Sequence, residues 1–583
     1  MNNNEIRLSP GEIFGEYRAG VSYKAGIGTH GIYEQTKMNE RFFVGDQWHG
    51  VRAGNTRPLV RRNIIKRIGE YKMAVVASAP VAVSFMADGI SQPADDSEEK
   101  RLIEKGLRDN LLPPGKPREA EISVICDAMS DYFRVTAERL RFDAKKEELL
   151  RAAFISGTGI AYTYWDADCP TGLYADAERT VPIKGDIGFE ILDVENVNFG
   201  DPNCDDIERQ PFIIIAQRRQ VSEVRREAER NGLPTAEILP GSETGFGFTS
   251  GDRGAEPEDS ARVTVLTKLY RQYLEDGGSE IWAVRVTEKA VIRQPWSLGI
   301  SRYPIAKFCW ERRRSSAYGD SEVTYLIPNQ IAINRALSSA VHGVMSQGMP
   351  IMTVNGDVIP EEISNDPGQI IRAYGTAEDI SSAIKFVTPP AFSEQYENLV
   401  NDIASNTLSD SGANDAALGN VRMDNASAII QLREAATAPM QVYLNRFYSF
   451  IEDIARIWGE MWLCCYGDRM IKSERNGRAT YIPFYAERYK NLSLTARIDV
   501  GAATLWGDAA VIGALDGLLK SNIITPLQYL ERMPKGLIPD INGLISELKE
   551  QEQAQNMTEN DEECDILSKN VEKGGKGETE NDG

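Results

Sequence analysis

Apolar positions change period along this chain, and the change divides it. Between Asp143 and Trp310 they form short runs, at residues 160–165, 188–192, 212–217, 263–273 and 281–286, which predicts a β-rich section. Further on, Ile333, Leu337, Val341 and Val344 follow at helical spacing, after a proline (Pro328) suited to a first helical turn. Gly348, Met349 and Pro350 end that run. Short strand candidates then come at 351–354, 370–373 and 383–387, separated by Asn355-Gly356, Asp366-Pro367-Gly368 and Gly375, and they read as a small β-rich knob. After Pro389-Pro390 a second helix carries Tyr396, Leu399, Val400 and Ile403 on one face as far as Leu408.

Residues 409–420 are small and polar, with two glycines and two asparagines, and lack the bulk to bury themselves. An exposed loop is expected there. Asp424 or Asn425 can cap a long helix over 429–462, which should kink near Ala438 because Pro439 removes a backbone bond. Past the kink, Tyr443, Phe447, Phe450, Ile451, Ile454, Ile457, Trp458, Met461 and Trp462 fall on one broad face, read as core packing. Strand-like segments over 479–500 and helices over 508–520, 526–533 and 541–553 follow. From Glu550 onward eleven Asp or Glu face three Lys, a composition that does not fold alone.

The length of 583 residues predicts about three to four domains. No apolar run reaches the roughly 18 residues that span a bilayer, and the first residues lack a signal-peptide layout, so a soluble protein made in cytoplasm is expected. Seven cysteines show no CxxC pairing and read as buried free thiols. His30, His49 and His342 have no metal-ligand spacing, and Asp201 to Asp206 reads as turn chemistry rather than a calcium loop. Residues 241–258 read as a surface loop. Arg312, Arg313 and Arg314 form a basic run, read as solvated or paired. No GxxxxGK[ST] loop is present, nor a carboxylate and histidine constellation of the kind a metal-dependent nuclease uses. The net charge of −21 opposes tight DNA holding, since that takes clustered Lys and Arg.

Helix, β-knob, helix, loop and kinked helix in this order resemble the stem, clip, stem, tunnel loop and long wing helix of tailed-bacteriophage portal proteins. Residues 33–48, with their aromatic, glycine and tryptophan ending, are similar to the family's opening helix, and 63–68 with 80–85 to the helix and strand that come next. Leu418-Gly419-Asn420, Asp424 to Ser427, 499–506 and 524–530 also look like portal sequences, while Met423 departs where relatives often have proline.

The resemblance implies a mixed α+β, multi-part architecture. It divides into N-terminal helices and an α/β, β-rich wing (1–320), a first stem helix (321–347), a clip (348–392) and a second stem helix (393–408). A tunnel loop (409–424), a long kinked wing helix (425–466), wing return strands (467–505), α-helical crown helices (506–553) and a disordered acidic tail (554–583) complete it. It implies a non-enzymatic portal protein of the virion, at one capsid vertex, through which double-stranded DNA enters during packaging and exits during ejection. Its implied partners are further copies in a dodecameric ring, terminase large subunit, head-tail adaptors, major capsid and scaffolding proteins, with no cofactor, metal or membrane. Twelve helices at ~10 Å spacing give a circle of radius about 19 Å and an opening of about 28 Å, enough for a duplex.

Candidate site residues follow from their place in that order. Asp415, Asn420 and Arg422 of the tunnel loop would face DNA. Asn355, Asp357, Glu361 and Glu362 of the clip would face terminase and adaptors. Ile333, Leu337, Val341 and Val344 would pack the stem, and Pro439 would kink the long helix. Another virion component, such as an adaptor or capsid protein, is the alternative reading, with a nuclease behind it.

Overall fold

The computed structural model describes residues 8–52, 58–79, 81–90, 119–174, 180, 182–241, 261–275, 277–348, 351–363, 370–387, 394–413, 438–475, 478–489, 492–498, 507–521, 523–533, 544–545 and 548. They form a mixed α+β chain that divides into two compact units, one of residues 1–77 and 137–467, the other of 78–136 and 468–583.

The elements begin with α1 (Pro10–Gly26), α2 (Gly31–Val44), α3 (Ile64–Ala77), β1 (Val83–Ile90), α4 (Glu119–Arg139) and α5 (Phe142–Ser156). Next come β2 (Thr158–Tyr174), β3 (Pro182–Leu192), β4 (Val197–Phe199), β5 (Phe212–Gln220) and α6 (Val221–Arg230). These lead to β6 (Arg262–Tyr273), β7 (Ser279–Val286), β8 (Val291–Ser297), β9 (Ile305–Cys309) and α7 (Glu322–Gly348). The middle holds β10 (Ile351–Val354), α8 (Ala377–Ser382), β11 (Ile384–Val387), α9 (Glu394–Asp410) and α10 (Gln441–Cys465). Last are β12 (Asp468–Arg475), β13 (Arg478–Tyr485), α11 (Ala486–Tyr489), β14 (Leu492–Ile498), α12 (Gly507–Lys520) and α13 (Pro526–Arg532).

In the first unit an antiparallel sheet runs in the order β4-β5-β6-β7-β8. Alternation along each strand gives it two apolar faces. Ile214, Ala216, Leu266, Tyr270, Val284 and Val286 pack against Ile13, Phe14 and Tyr17 of α1. Val263, Val265 and Ile292 pack against Val221, Val224 and Ala228 of α6. Both faces being covered explains why β5 and β6 read as nearly unbroken apolar runs.

A second sheet, β3-β2-β9, supports the aromatic helix α10. Phe447, Phe450, Ile451, Ile454, Ile457, Trp458, Met461 and Trp462 are all buried, as their spacing predicts. Phe308 of β9 meets Phe447 and Phe450 edge-on, and Trp458 lies between Phe142 and Phe189.

The other unit pairs β1 with β14 and β12 with β13, both antiparallel. Ser130 of α4 accepts a 2.9 Å hydrogen bond from the Phe85 amide and donates at 2.7 Å to the Cys126 carbonyl.

Of the cysteines, Cys126 and Cys309 are buried thiols as expected, but Cys169, Cys204, Cys464 and Cys465 are only half-buried. Asp201 and Asp206 accept backbone amides of their own turn, from Asn203 and Glu208. The tail 554–583 and the surface loop 242–258 lie outside the described residues.

Candidate functional site

The helix expected to open at Ile327-Pro328 instead starts at Glu322, which places Pro328 inside α7. Ser321 provides the earlier start: its hydroxyl accepts the Val323 amide at 3.1 Å and donates to the Phe154 carbonyl at 2.7 Å. The face of α7 that reads as polar is partly an anchor. Gln330 accepts the Ile64 amide at 2.9 Å and donates to the Arg62 carbonyl at 2.7 Å. Asn334 accepts the Arg62 amide at 3.1 Å and donates to Gln47 at 2.6 Å. Buried amides of this kind must find partners, and here they pin α7 to the segment leading into α3.

α9 packs alongside α7 and returns antiparallel to it, with Asn329 donating to Thr407 at 3.1 Å near the base of the pair. Its buried stripe is Val400, expected from the sequence, with Ala404 and Thr407, each one turn further along. Leu399 is 51 % exposed, Ile403 is half-buried, and the Tyr396 side chain lies outside the described residues. Of the stem candidates on α7, Ile333 is fully buried and Leu337 half-buried, whereas Val341 and Val344 are 37 % and 62 % exposed. The apolar stripe thus runs out of the fold toward the knob.

The knob has a core of its own. Val358, Ile359 and Ala383 are buried, with Ile363, Ala373 and Ile384 partly so. β10 pairs with β11, the Asn355 amide donates to Ala383, and the Tyr374 amide to Val358. Residues 370–373, expected as a strand, form none, and α8 stands in the knob behind a Thr376–Asp379 capping box. Asn355, Asp357, Glu361 and Glu362 are all exposed. Asn355 also shapes its turn, since its side-chain oxygen accepts the Asp357 amide at 3.1 Å.

Asp415, Asn420 and Arg422 lie outside the described residues, as does the stretch 414–437 that joins α9 to the long helix. Pro439 lies in a 3-10 turn, Ala438–Met440, leading directly into α10.

The base of the hairpin borders a polar cleft of about 510 Å³ lined by residues including Lys72, Glu311, Glu322, Tyr325, Asp410 and Tyr443. Glu322 accepts from Lys72 at 2.6 Å and from the Trp310 indole at 2.7 Å, all three buried. Glu311 accepts the Tyr443 hydroxyl and lies 3.5 Å from Arg446. Burial, then that hydrogen bond to a carboxylate, push the Tyr443 phenol above its ordinary pKa. Arg313 of the basic run pairs with Asp320, while Arg312 and Arg314 are exposed. Glu311, Asp320 and Glu322 are engaged with cations and with the Trp310 and Tyr443 donors, which is the chemistry of a clamp. Among the described residues no group of His, Cys, Asp and Glu is placed to hold a metal, and no helix is long and apolar enough to cross a membrane. The clamp left no sequence signal because its members come from three separate segments.

These features define a mixed α+β protein whose distinctive part is a helical hairpin capped by a small β-knob and clamped at its base. The family model described as phage P22-like portal protein matches residues 252–472, a span that includes the hairpin, the knob and the aromatic helix, and this supports a tailed-phage portal protein. That family is structural and non-enzymatic, and its setting is an oligomeric ring in the phage capsid. No curated protein matches the chain.

Proposed function

We propose that copies of this chain stand side by side as a ring at one capsid vertex, with α7 and α9 walling the channel through which double-stranded DNA enters and later leaves. The observation that carries this reading is the uncovered apolar stripe on the hairpin. Val341, Val344 and Met345 of α7 and Leu399 of α9 are 37 %, 62 %, 47 % and 51 % exposed. Removing such surface from water is worth roughly 25 cal/mol per Å², and the neighbouring hairpin of a ring supplies the cover. The partners follow from the ring. The knob, through Asn355, Asp357, Glu361 and Glu362, meets terminase large subunit during packing and head-tail adaptors afterwards, while the rest of the ring sits among capsid and scaffolding proteins.

The loop residues Asp415, Asn420 and Arg422 approach the DNA. One arginine per copy gives only a weak contact, screened over about 10 Å at moderate salt. The ring holds DNA by shape and like charge, and a separate terminase motor does the chemical work. Twelve copies is the number proposed. Particle reconstruction of the purified chain without imposed symmetry tests the reading. A ring with a hole that admits a duplex is the expected image, and a compact monomer under every assembly condition overturns it.

A further inference from the structure

The five-stranded sheet contains an arrangement that works against its own stability. Arg285 of β7 and Arg293 of β8 are direct cross-strand partners, and like charges so placed repel. Among the described residues the carboxylate paired with this cluster is Glu227 of α6, which accepts from Arg285 and, at 2.6 Å, from Arg219. Burial opposes the charge on Glu227, but the two guanidiniums outweigh it and hold its pKa below the ordinary value. Two guanidiniums therefore share one carboxylate, and Arg293 stands beside them without an ion pair to it.

Arg293 is exposed and lies 3.9 Å from the centre of the Trp296 ring, with Arg285 5.8 Å from the same ring. Desolvation and then Arg285 lower the Arg293 pKa, so its charge sits where an added anion relieves it. β8 is an edge strand, and its register with β7 shifts on both sides of the arginine pair. Such irregularities re-aim side chains. Pro295 removes a backbone donor from the same edge, which disfavours recognition by strand addition there.

We propose that Arg285 and Arg293, with Arg219 beside them, form a docking site for an acidic segment of a protein partner, one of whose carboxylates lies between the two cross-strand guanidiniums. Planar guanidinium forks match carboxylates in a bidentate way, and Glu227 takes only one nitrogen from each of Arg219 and Arg285, which leaves part of each fork for an incoming carboxylate. Stacking on Trp296 orders Arg293 before binding, which reduces the entropy lost on docking. A duplex fits less well, because DNA retention draws on roughly 6–10 phosphate contacts whereas this cluster offers three arginines, two of them already shared with Glu227, on a chain of charge −21. The site stands whether or not copies form a ring.

Fluorescence anisotropy of the full-length protein with a labelled Asp/Glu hexapeptide tests the proposal at low and at moderate salt. Arg293→Ala, an exposed position, should weaken binding about tenfold, and Arg293→Lys should recover only part of it. Glu227→Gln frees two guanidiniums and should tighten binding several-fold, a change that a purely structural role for Glu227 does not produce. Equal peptide affinity in wild type and Arg293→Ala overturns the proposal, as does absence of peptide binding by wild type. Binding of a short DNA duplex that is tighter than the peptide and is lost in Arg293→Ala reassigns the site to nucleic acid and also overturns it.

Discussion

Lys24, at the end of α1, is fully buried and donates to the carbonyls of Val194, Glu195 and Val197 at 3.1, 2.5 and 3.2 Å. Burial draws its pKa from 10.5 down to about 7, with the nearby Glu195 opposing that shift. Burial, then Asp193, pushes Glu195 from 4.5 up to about 7 against the pull of Lys24. The signs are opposite. Between 4.5 and 7 the folded chain holds the Glu195 proton that the unfolded chain has lost, so its contribution to stability falls as pH rises. Between 7 and 10.5 the unfolded chain holds the Lys24 proton that the folded chain has lost, so that contribution rises with pH. Glu195→Gln removes the first effect. Its advantage in unfolding midpoint over wild type should therefore grow from pH 5 to pH 7, and a flat difference across that interval contradicts the assignment.

Glu322 makes a second residue-scale case. Replacing it with Leu leaves the Lys72 ammonium buried without its carboxylate, a loss of roughly 3–5 kcal/mol when one member of a buried pair is removed. Adding Lys72→Met should recover most of the loss, because no charge is then stranded. Thermal unfolding of the two single variants and the double variant gives the coupling. Additive losses would show that the pair does not act as a unit.

At the scale of elements, α5 gives way to β2 at Gly157, whose φ of +87° caps the helix in the left-handed region. A Cβ there would lie 2.5 Å from the Gly319 carbonyl oxygen, so the turn and the segment ahead of α7 meet at a point that leaves no room for a side chain. Gly157→Ala should cost at least about 1–3 kcal/mol, from backbone strain before the steric clash is counted. A thermal midpoint equal to wild type would contradict this.

Elements with strong period were legible in the sequence. β5, β6 and β7 announced themselves through Val, Ile and Leu runs, and α10 through its aromatic face. β8 escaped because Gln294 and Pro295 break its alternation, whereas β12 falls within the return strands expected over 467–505 and pairs with β13. α1 carried a readable start in Ser9-Pro10-Gly11-Glu12, where the Ser9 hydroxyl accepts the Glu12 amide, but its weak amphipathicity hid the rest. The site was legible by order and not by contact. The apolar spacing of α7 marked Ile333 to Val344 as one stripe, yet spacing alone does not distinguish the buried half from the exposed half. The clamp of Lys72, Glu322 and Trp310 joins positions that no local pattern connects.

For the whole molecule, the exposed half of that stripe and the charge of the hairpin lead to separate expectations. On the proposed ring, Val344→Asp or Leu399→Asp places a carboxylate in each helix contact, and like charges repeated around a closed interface should leave monomers where wild type gives rings. The folded single chain is little affected, since both positions are exposed already. Sedimentation velocity separates the two species, and intact rings in both variants would count against the stripe as the assembly contact.

In the proposed ring, the charge of the same two helices governs how DNA moves. α7 and α9 together carry five carboxylates, Glu322, Glu394, Glu397, Asp402 and Asp410, against one arginine, Arg335, and Glu322 is already neutralised by Lys72. A duplex carries one charge per ~1.7 Å, so a wall of the same sign repels it from every side and offers no phosphate a place to stop. Asp402 is exposed on α9, and Asp402→Lys replaces one negative by one positive charge per copy, a change repeated at one level all round the channel. Phosphates then find a ring of cations. Packaging in vitro should slow most at low ionic strength and recover as salt shortens the screening length from about 30 Å at 0.01 M to about 8 Å at 0.15 M. Asp402→Asn, which removes charge without reversing it, should show a smaller effect of the same kind. A slowing that salt does not relieve would point to damaged assembly, and unchanged rates in both variants at low salt would place Asp402 away from the path of the DNA.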